Sequence, residues 1–149
     1  MHSNQPTRFD NVKCFGSNAA LTIEATFNKN VPTLNIEMAQ KKGEHFDWAN
    51  KLVLQLSDTE LPMLCSMLLG YSKNISIKRN TKGLEAERQA NKIFLKGTSS
   101  GNIFTLPLAP GDVFRVSAFA LKQLKCQSGL ESETMILAAI RGCSTLIKL

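Results

Sequence analysis

Lys92-Ile93-Phe94-Leu95-Lys96 alternates apolar and cationic residues around one aromatic ring. In a strand, successive side chains point to opposite faces, so Ile93 and Leu95 turn inward and Lys92, Phe94 and Lys96 share the other face. Two ammonium groups flanking an outward ring suit a single nucleic-acid strand. The cations neutralise phosphates, and the ring offers a flat apolar surface to an unpaired base, worth ~1 to 3 kcal/mol per base without reading sequence. A second sheet laid over Phe94 would instead leave two ordinary surface lysines, and the pattern alone does not separate these outcomes. Lys78 and Arg88 lie on neighbouring strand segments and extend the basic face only in the right register, because a one-residue slip reverses them. Lys41, Lys42 and Lys82 fall in turns, where a charge is usually just solvated.

Catalytic chemistry finds few parts. The two histidines, His2 and His45, stand in a tail and a turn, with no motif-level partner for a triad, a metal site or a general base. Gly97 to Gly101 joins two strands and lacks the lysine of a phosphate-binding loop. Glu85 and Glu87 alternate on a strand, as a solvated face does. Cys14, Cys65, Cys126 and Cys143 are scattered, with no pair at metal-finger spacing, and read as free thiols. The expectation is a binding protein, not an enzyme, with no metal and no cofactor.

Charge points the same way. The chain of 149 residues carries a formal net charge of +6, with a pI near 9.3. Residues 73 to 108 hold seven Lys and Arg against two Glu, a surplus of five. A concentrated positive surface favours a polyanionic partner, nucleic acid before an anionic membrane. With 43% apolar residues and no apolar run near the ~20 that a membrane span requires, the reading is one soluble domain in a reducing cytoplasm.

The elements that position these residues are legible from Phe46 to Gly70. Leu52, Leu54 and Leu56 alternate with Val53 and Gln55 as a half-buried strand. Ser57 and Glu60 then have capping-box spacing, and Leu61, Leu64, Cys65, Leu68 and Leu69 make one helical stripe that Gly70 ends. Pro62 is discordant in the first full turn unless the helix begins after Ser57. In unbroken register Trp48 shares the buried face with the leucines and Lys51 faces outward; a bulge at Ala49-Asn50 would exchange those fates. Further strands are predicted at about 21–27, 34–38, 74–80, 84–89, 92–96 and 103–108. Pro110 opens a second helix that Gly129 ends, and Ser132-Glu133 starts a third to about Arg141. Residues 1–12 read as a disordered tail, 13–142 as the domain and 143–149 as a C-terminal tail. The class is α+β: curved antiparallel sheets in a strands-helix-strands-helix pseudo-repeat.

The block Phe46-Asp47-Trp48, Lys51, Leu56-Ser57, Thr59-Glu60 and the Leu-rich helix resembles the Whirly family of single-stranded-DNA-binding proteins. That family shares a fold with the positive-cofactor-four coactivators and the kinetoplastid mitochondrial RNA-binding proteins. Upstream, Ala19-Ala20-Leu21 is similar to the second half of the family's Lys-Gly-Lys-Ala-Ala-Leu signature, while Gly16, Ser17 and Asn18 replace its first half. The resemblance spans roughly residues 13 to 126. It implies two packed sheets with helices at one end and a homodimer or homotetramer joined through the helices. It implies single-stranded DNA, or RNA, as partner, bound with little sequence preference. It also brings Lys51, Trp48, Lys13, Asn18 and Phe15 toward the bound strand, beside Lys78, Arg88, Lys92, Phe94 and Lys96. An RNA-annealing chaperone or a coactivator-like protein-interaction module are the alternatives.

Overall fold

The structure, a computed structural model, describes residues 10–147. Eight strands form two four-stranded antiparallel sheets, each in sequential order. The first sheet contains β1 (Asn11–Phe15), β2 (Ala19–Asn28), β3 (Val31–Lys42) and β4 (His45–Gln55). After α1 (Glu60–Leu68) the second follows: β5 (Asn74–Lys78), β6 (Lys82–Arg88), β7 (Ile93–Ser99) and β8 (Asn102–Leu108). Helices α2 (Pro110–Ser128) and α3 (Glu133–Ser144) complete the chain. This is the expected α+β arrangement of two antiparallel sheets with helices. No helix among the described residues is long and apolar enough to cross a membrane.

Alternation decides which face each sheet buries. In the first sheet Cys14, Leu21, Met38 and Leu52 stand in register on the inner face, and Ile23, Ile36 and Leu54 form the next row. In the second, Ile75, Ala86, Leu95 and Leu106 align, and Ile77, Leu84, Gly97 and Phe104 lie beside them. All but Gly97 belong to one buried apolar cluster joining both sheets and the helices. At Gly97 the sheets touch: a β-carbon there would lie 2.5 Å from Leu52 Cδ2 and 3.0 Å from Met38 Sδ. The missing side chain is what allows the close approach.

Helix α1 shows how local chemistry fixes the junction between the sheets. Ser57 N–H donates to Glu60 Oε1 at 2.9 Å and Glu60 N–H to Ser57 Oγ at 3.3 Å, the reciprocal exchange of a capping box. The regular helix starts at Glu60, so Pro62 occupies its third position, where an N–H has no intrahelical acceptor to lose. Two arginines, Arg79 in the turn between β5 and β6 and Arg88 at the end of β6, hold the helix at its ends. Arg79 bonds both carboxylate oxygens of Glu60, at 2.7 and 2.9 Å, and the Gln55 carbonyl. Arg88 Nη1 donates to the Met67 and Leu68 carbonyls, each at 2.9 Å, adding to the Gly70 N–H that Met67 already accepts and supplying the donor that Leu68 lacks in the C-terminal turn. Gly70, at φ +87°, then turns the chain away. Helix α2 is anchored by Gln123, buried, whose amide donates to the Thr26 and Thr33 carbonyls at 3.1 and 2.6 Å.

Several boundaries differ from the sequence-based expectation. Strand β1 begins at Asn11, inside the segment expected to be aperiodic, because only five residues pair and too few alternate to register as a pattern. Helix α3 continues to Ser144, three residues past the expected end, so Cys143 and Ser144 are helical. The rest of the expected N-terminal tail, residues 1–9, and the final residues 148–149 lie outside the described residues. All four cysteines are free, and burial pushes the Cys65 thiol up to about 12.

The hydrogen bond from Arg79, opposed by partial burial, holds the Glu60 carboxyl below its ordinary 4.5. A depressed carboxylate stabilises the fold above its unfolded pKa and loses that contribution as pH falls through the native pKa. Glu60→Gln should therefore lower Tm at pH 7, and the gap to the parent protein should close below about pH 4. Thermal unfolding followed by circular dichroism across pH 3 to 7 measures both.

Candidate nucleic-acid interface

The outer face of the first sheet is where aromatic rings and cations meet. Between the register pairs Met38–Leu52 and Gln40–Asp47, β3 has one intervening residue and β4 has four, Trp48 to Lys51. This large bulge breaks the alternation, so Trp48 and Lys51 both reach the outer face, where they line one basin with Asn11, Lys13, Thr22, Glu24 and Glu37. Of the two fates open to Trp48, the structure takes the outward one. It does so without turning Lys51 inward, because three extra residues, an odd number, set the two on the same side.

Two further rings extend this face. Phe15 follows Cys14, an inner residue, and is 60% exposed; its ring centroid lies 5.7 Å from that of Phe46. In register with Phe15 stand Ala20 and Ala39, small, fully buried residues that form a low floor beside the rings. Cations hover over the aromatics: Lys13 Nζ is 5.6 Å from the Trp48 ring and Lys41 Nζ 5.0 Å from that of Phe46. Lys51 Nζ bonds Glu37 Oε1 at 3.0 Å. These are exposed contacts worth ~0 to 1 kcal/mol each, so the ammonium groups can exchange them for a phosphate at little cost.

The second sheet presents Phe94 and Lys96 outward, as the alternation of that strand predicts, with Lys78 on the same face. Lys92 lies just before β7, its carbonyl accepting the Gln89 N–H at 2.8 Å. Carboxylates interrupt this face: Glu87 is the cross-strand neighbour of Phe94, and Glu85 that of Lys96. Arg88 leaves it altogether, since its register is opposite to Glu87 and its guanidinium is engaged with α1. Asn18 stands between the sheets, its amide donating to Thr105 Oγ1 at 3.3 Å, while Gln40 donates to the Ile103 carbonyl at 2.9 Å. Thr105 is the cross-strand neighbour of Lys96, so the two outer faces meet at this junction.

Solved structures share this architecture. The crystal structure of WHY1 from Arabidopsis thaliana superposes with a TM-score of 0.68 at 18% identity, over 87% of this chain and 98% of that one. The fold is Whirly-like. The MRP1/MRP2 structures from Trypanosoma brucei also match, with a TM-score of 0.58 at 12% identity, over 80% of this chain and 93% of that one. No protein-family model matches the sequence, and no curated protein does. In this Whirly-like frame the expected residues Lys13, Trp48 and Lys51 gather on the first sheet, and Lys78, Phe94 and Lys96 on the second, with Asn18 bridging them. The structure adds Phe46 to the expected rings and places Lys41, expected in a turn, at the end of β3 over that ring. The two-residue spacing of Phe46 and Trp48 puts both rings on one face.

Arg88→Ala should separate structure from binding: it should destabilise the fold by ~1 to 3 kcal/mol, because the Leu68 carbonyl loses its donor and Met67 keeps only the Gly70 N–H. The salt dependence of nucleic-acid binding should stay unchanged. Urea unfolding and a salt titration read the two effects independently.

Proposed function

We propose that this chain binds single-stranded nucleic acid, DNA before RNA, by backbone neutralisation and base stacking, and that it performs no catalysis. The observation that carries the reading is the row of Phe15, Phe46 and Trp48 with Lys13 and Lys41 set over its rings. Aromatic surfaces accept unpaired bases of any identity, and neighbouring ammonium groups follow the phosphates. A duplex hides its base faces in the stack and offers nothing for such rings to hold. The path runs along the outer face of the first sheet and across Asn18 toward Lys96 and Phe94. The Whirly-like fold supports nucleic-acid binding, the resemblance of the Phe46 to Glu60 block to the Whirly family is what puts DNA first, and competition with matched single-stranded RNA ranks the two.

Variants divide the energy by mechanism. For single strands, log K falls with log[salt] at about 0.7 per phosphate neutralised. Lys13→Ala with Lys41→Ala should therefore flatten the slope for a thymidine 30-mer by about 1.4. Trp48→Leu and Phe46→Leu should keep the slope while weakening binding, by up to ~1 to 3 kcal/mol for each lost stack. A set of variants that all bind as the parent does, in affinity and slope, would remove this face from the site.

A further inference from the structure

The basin beside Trp48 contains more than a sequence-tolerant groove needs. Across the outer face of the first sheet, Lys13, Thr22 and Glu37 stand in one register row, and Asn11, Glu24 and Asn35 in the next. Glu37 is occupied, accepting from Lys51 and from the Asn35 amide at 3.1 Å. Glu24, half-buried on the adjacent row, has no hydrogen-bond or ion-pair partner among the described residues. Thr22 lines the same basin at 8% exposure, and its hydroxyl, buried there, is also unpartnered. A free carboxylate repels phosphate, so it opposes the backbone binding proposed above. A carboxylate and a buried hydroxyl beside a ring are, however, what the edge of a stacked base requires.

We infer that this basin reads guanine, an inference that rests on the single-strand reading of the same face. A carboxylate accepts two parallel hydrogen bonds, and among the four DNA bases only guanine offers two adjacent donors, N1–H and N2–H, on one edge. Its O6 and N7 are acceptors, matched to the ammonium groups of Lys13 and Lys51. Thymine would turn a carbonyl oxygen on each side of N3–H toward Glu24, a repulsive match. Adenine and cytosine supply a single amino group each and satisfy only one carboxylate oxygen. Trp48 provides the stacking surface, and Thr22 Oγ1 gains the partner that it lacks. Sequence preference thus arises at one position along a strand that is otherwise held without readout.

The test compares a thymidine 30-mer with 30-mers carrying one deoxyguanosine in every five positions, spaced to prevent guanine-guanine pairing. Deoxyinosine, deoxyadenosine and deoxycytidine replace it in parallel oligomers. The guanine oligomer should bind roughly tenfold more tightly than thymidine alone at equal salt. Deoxyinosine, lacking N2–H, should lose most of that gain. Glu24→Gln should abolish the preference while the thymidine oligomer binds at least as well as before; Thr22→Val, a change of similar shape, should reduce it. Circular dichroism confirms that both variants are folded. Equal affinity for guanine and thymidine oligomers, a preference for adenine or cytosine, or a guanine preference that survives Glu24→Gln would each overturn the assignment and leave single-strand binding intact. Failure to bind any of the oligomers would overturn both.

Discussion

Strand β4 is three residues longer than the stretch of β3 it pairs with between Met38–Leu52 and Gln40–Asp47, and the excess has to leave the ladder. On one side of the bulge, Leu52 and Leu54 remain buried against the second sheet. On the other, Phe46 and Trp48 are delivered to the outer face together with Lys51. Had alternation continued without interruption, the tryptophan would have joined the leucines, and the outer face would have lost its largest ring. Extra residues in one strand are a recurrent means of re-aiming a side chain without disturbing the core behind it. Here the core behind is close-packed: Gly97 admits Leu52 and Met38 with no room for even a methyl group.

The cationic residues fall into two energetic classes. Arg79 and Arg88 are committed to the fold, one clasping the capping carboxylate of α1 and the other the last carbonyls of the same helix. Removing Arg88 would leave the Leu68 carbonyl without a donor, and removing Arg79 would release the Glu60 carboxylate and the Gln55 carbonyl together. Lys13, Lys41 and Lys51 hold only a ring or an exposed carboxylate. Their contacts keep flexible side chains near the platform and yield readily to a polyanion. Among these five residues arginine serves the architecture and lysine the exchangeable surface, a division that net charge alone conceals.

Much of this was legible beforehand where local chemistry and periodicity agree. The leucine alternation before Ser57, the capping box and the glycine stops at Gly70 and Gly129 all appear where their residue types require, while α1 buries Leu61, Leu64, Cys65 and Leu68 of the expected stripe and also Ser66 and Met67 beside it. Phe94 and Lys96 face outward because β7 is regular. What escaped depends on pairing partners distant in sequence. Arg88 is the exception, since it alternates with Leu84 and Ala86 and so shares their inner face, a local signal that its charge obscures. The fate of Trp48 turns on how many residues β3 contributes opposite it. Strand β1 is too short to alternate visibly, yet it supplies Lys13 and Phe15. The platform is therefore assembled from three segments, each unremarkable alone, that only the hairpins bring together.

Trp48 is the single tryptophan of the chain, so its emission reports on the platform and on nothing else. The most direct measurement is intrinsic fluorescence during titration with a thymidine 30-mer and, separately, with its duplex, at low salt. Stacking of a base on the indole should quench the emission saturably with the single strand, and the duplex should leave it nearly unchanged. Equal responses to the two, or an emission that stays constant while the single strand is demonstrably bound, would contradict the account.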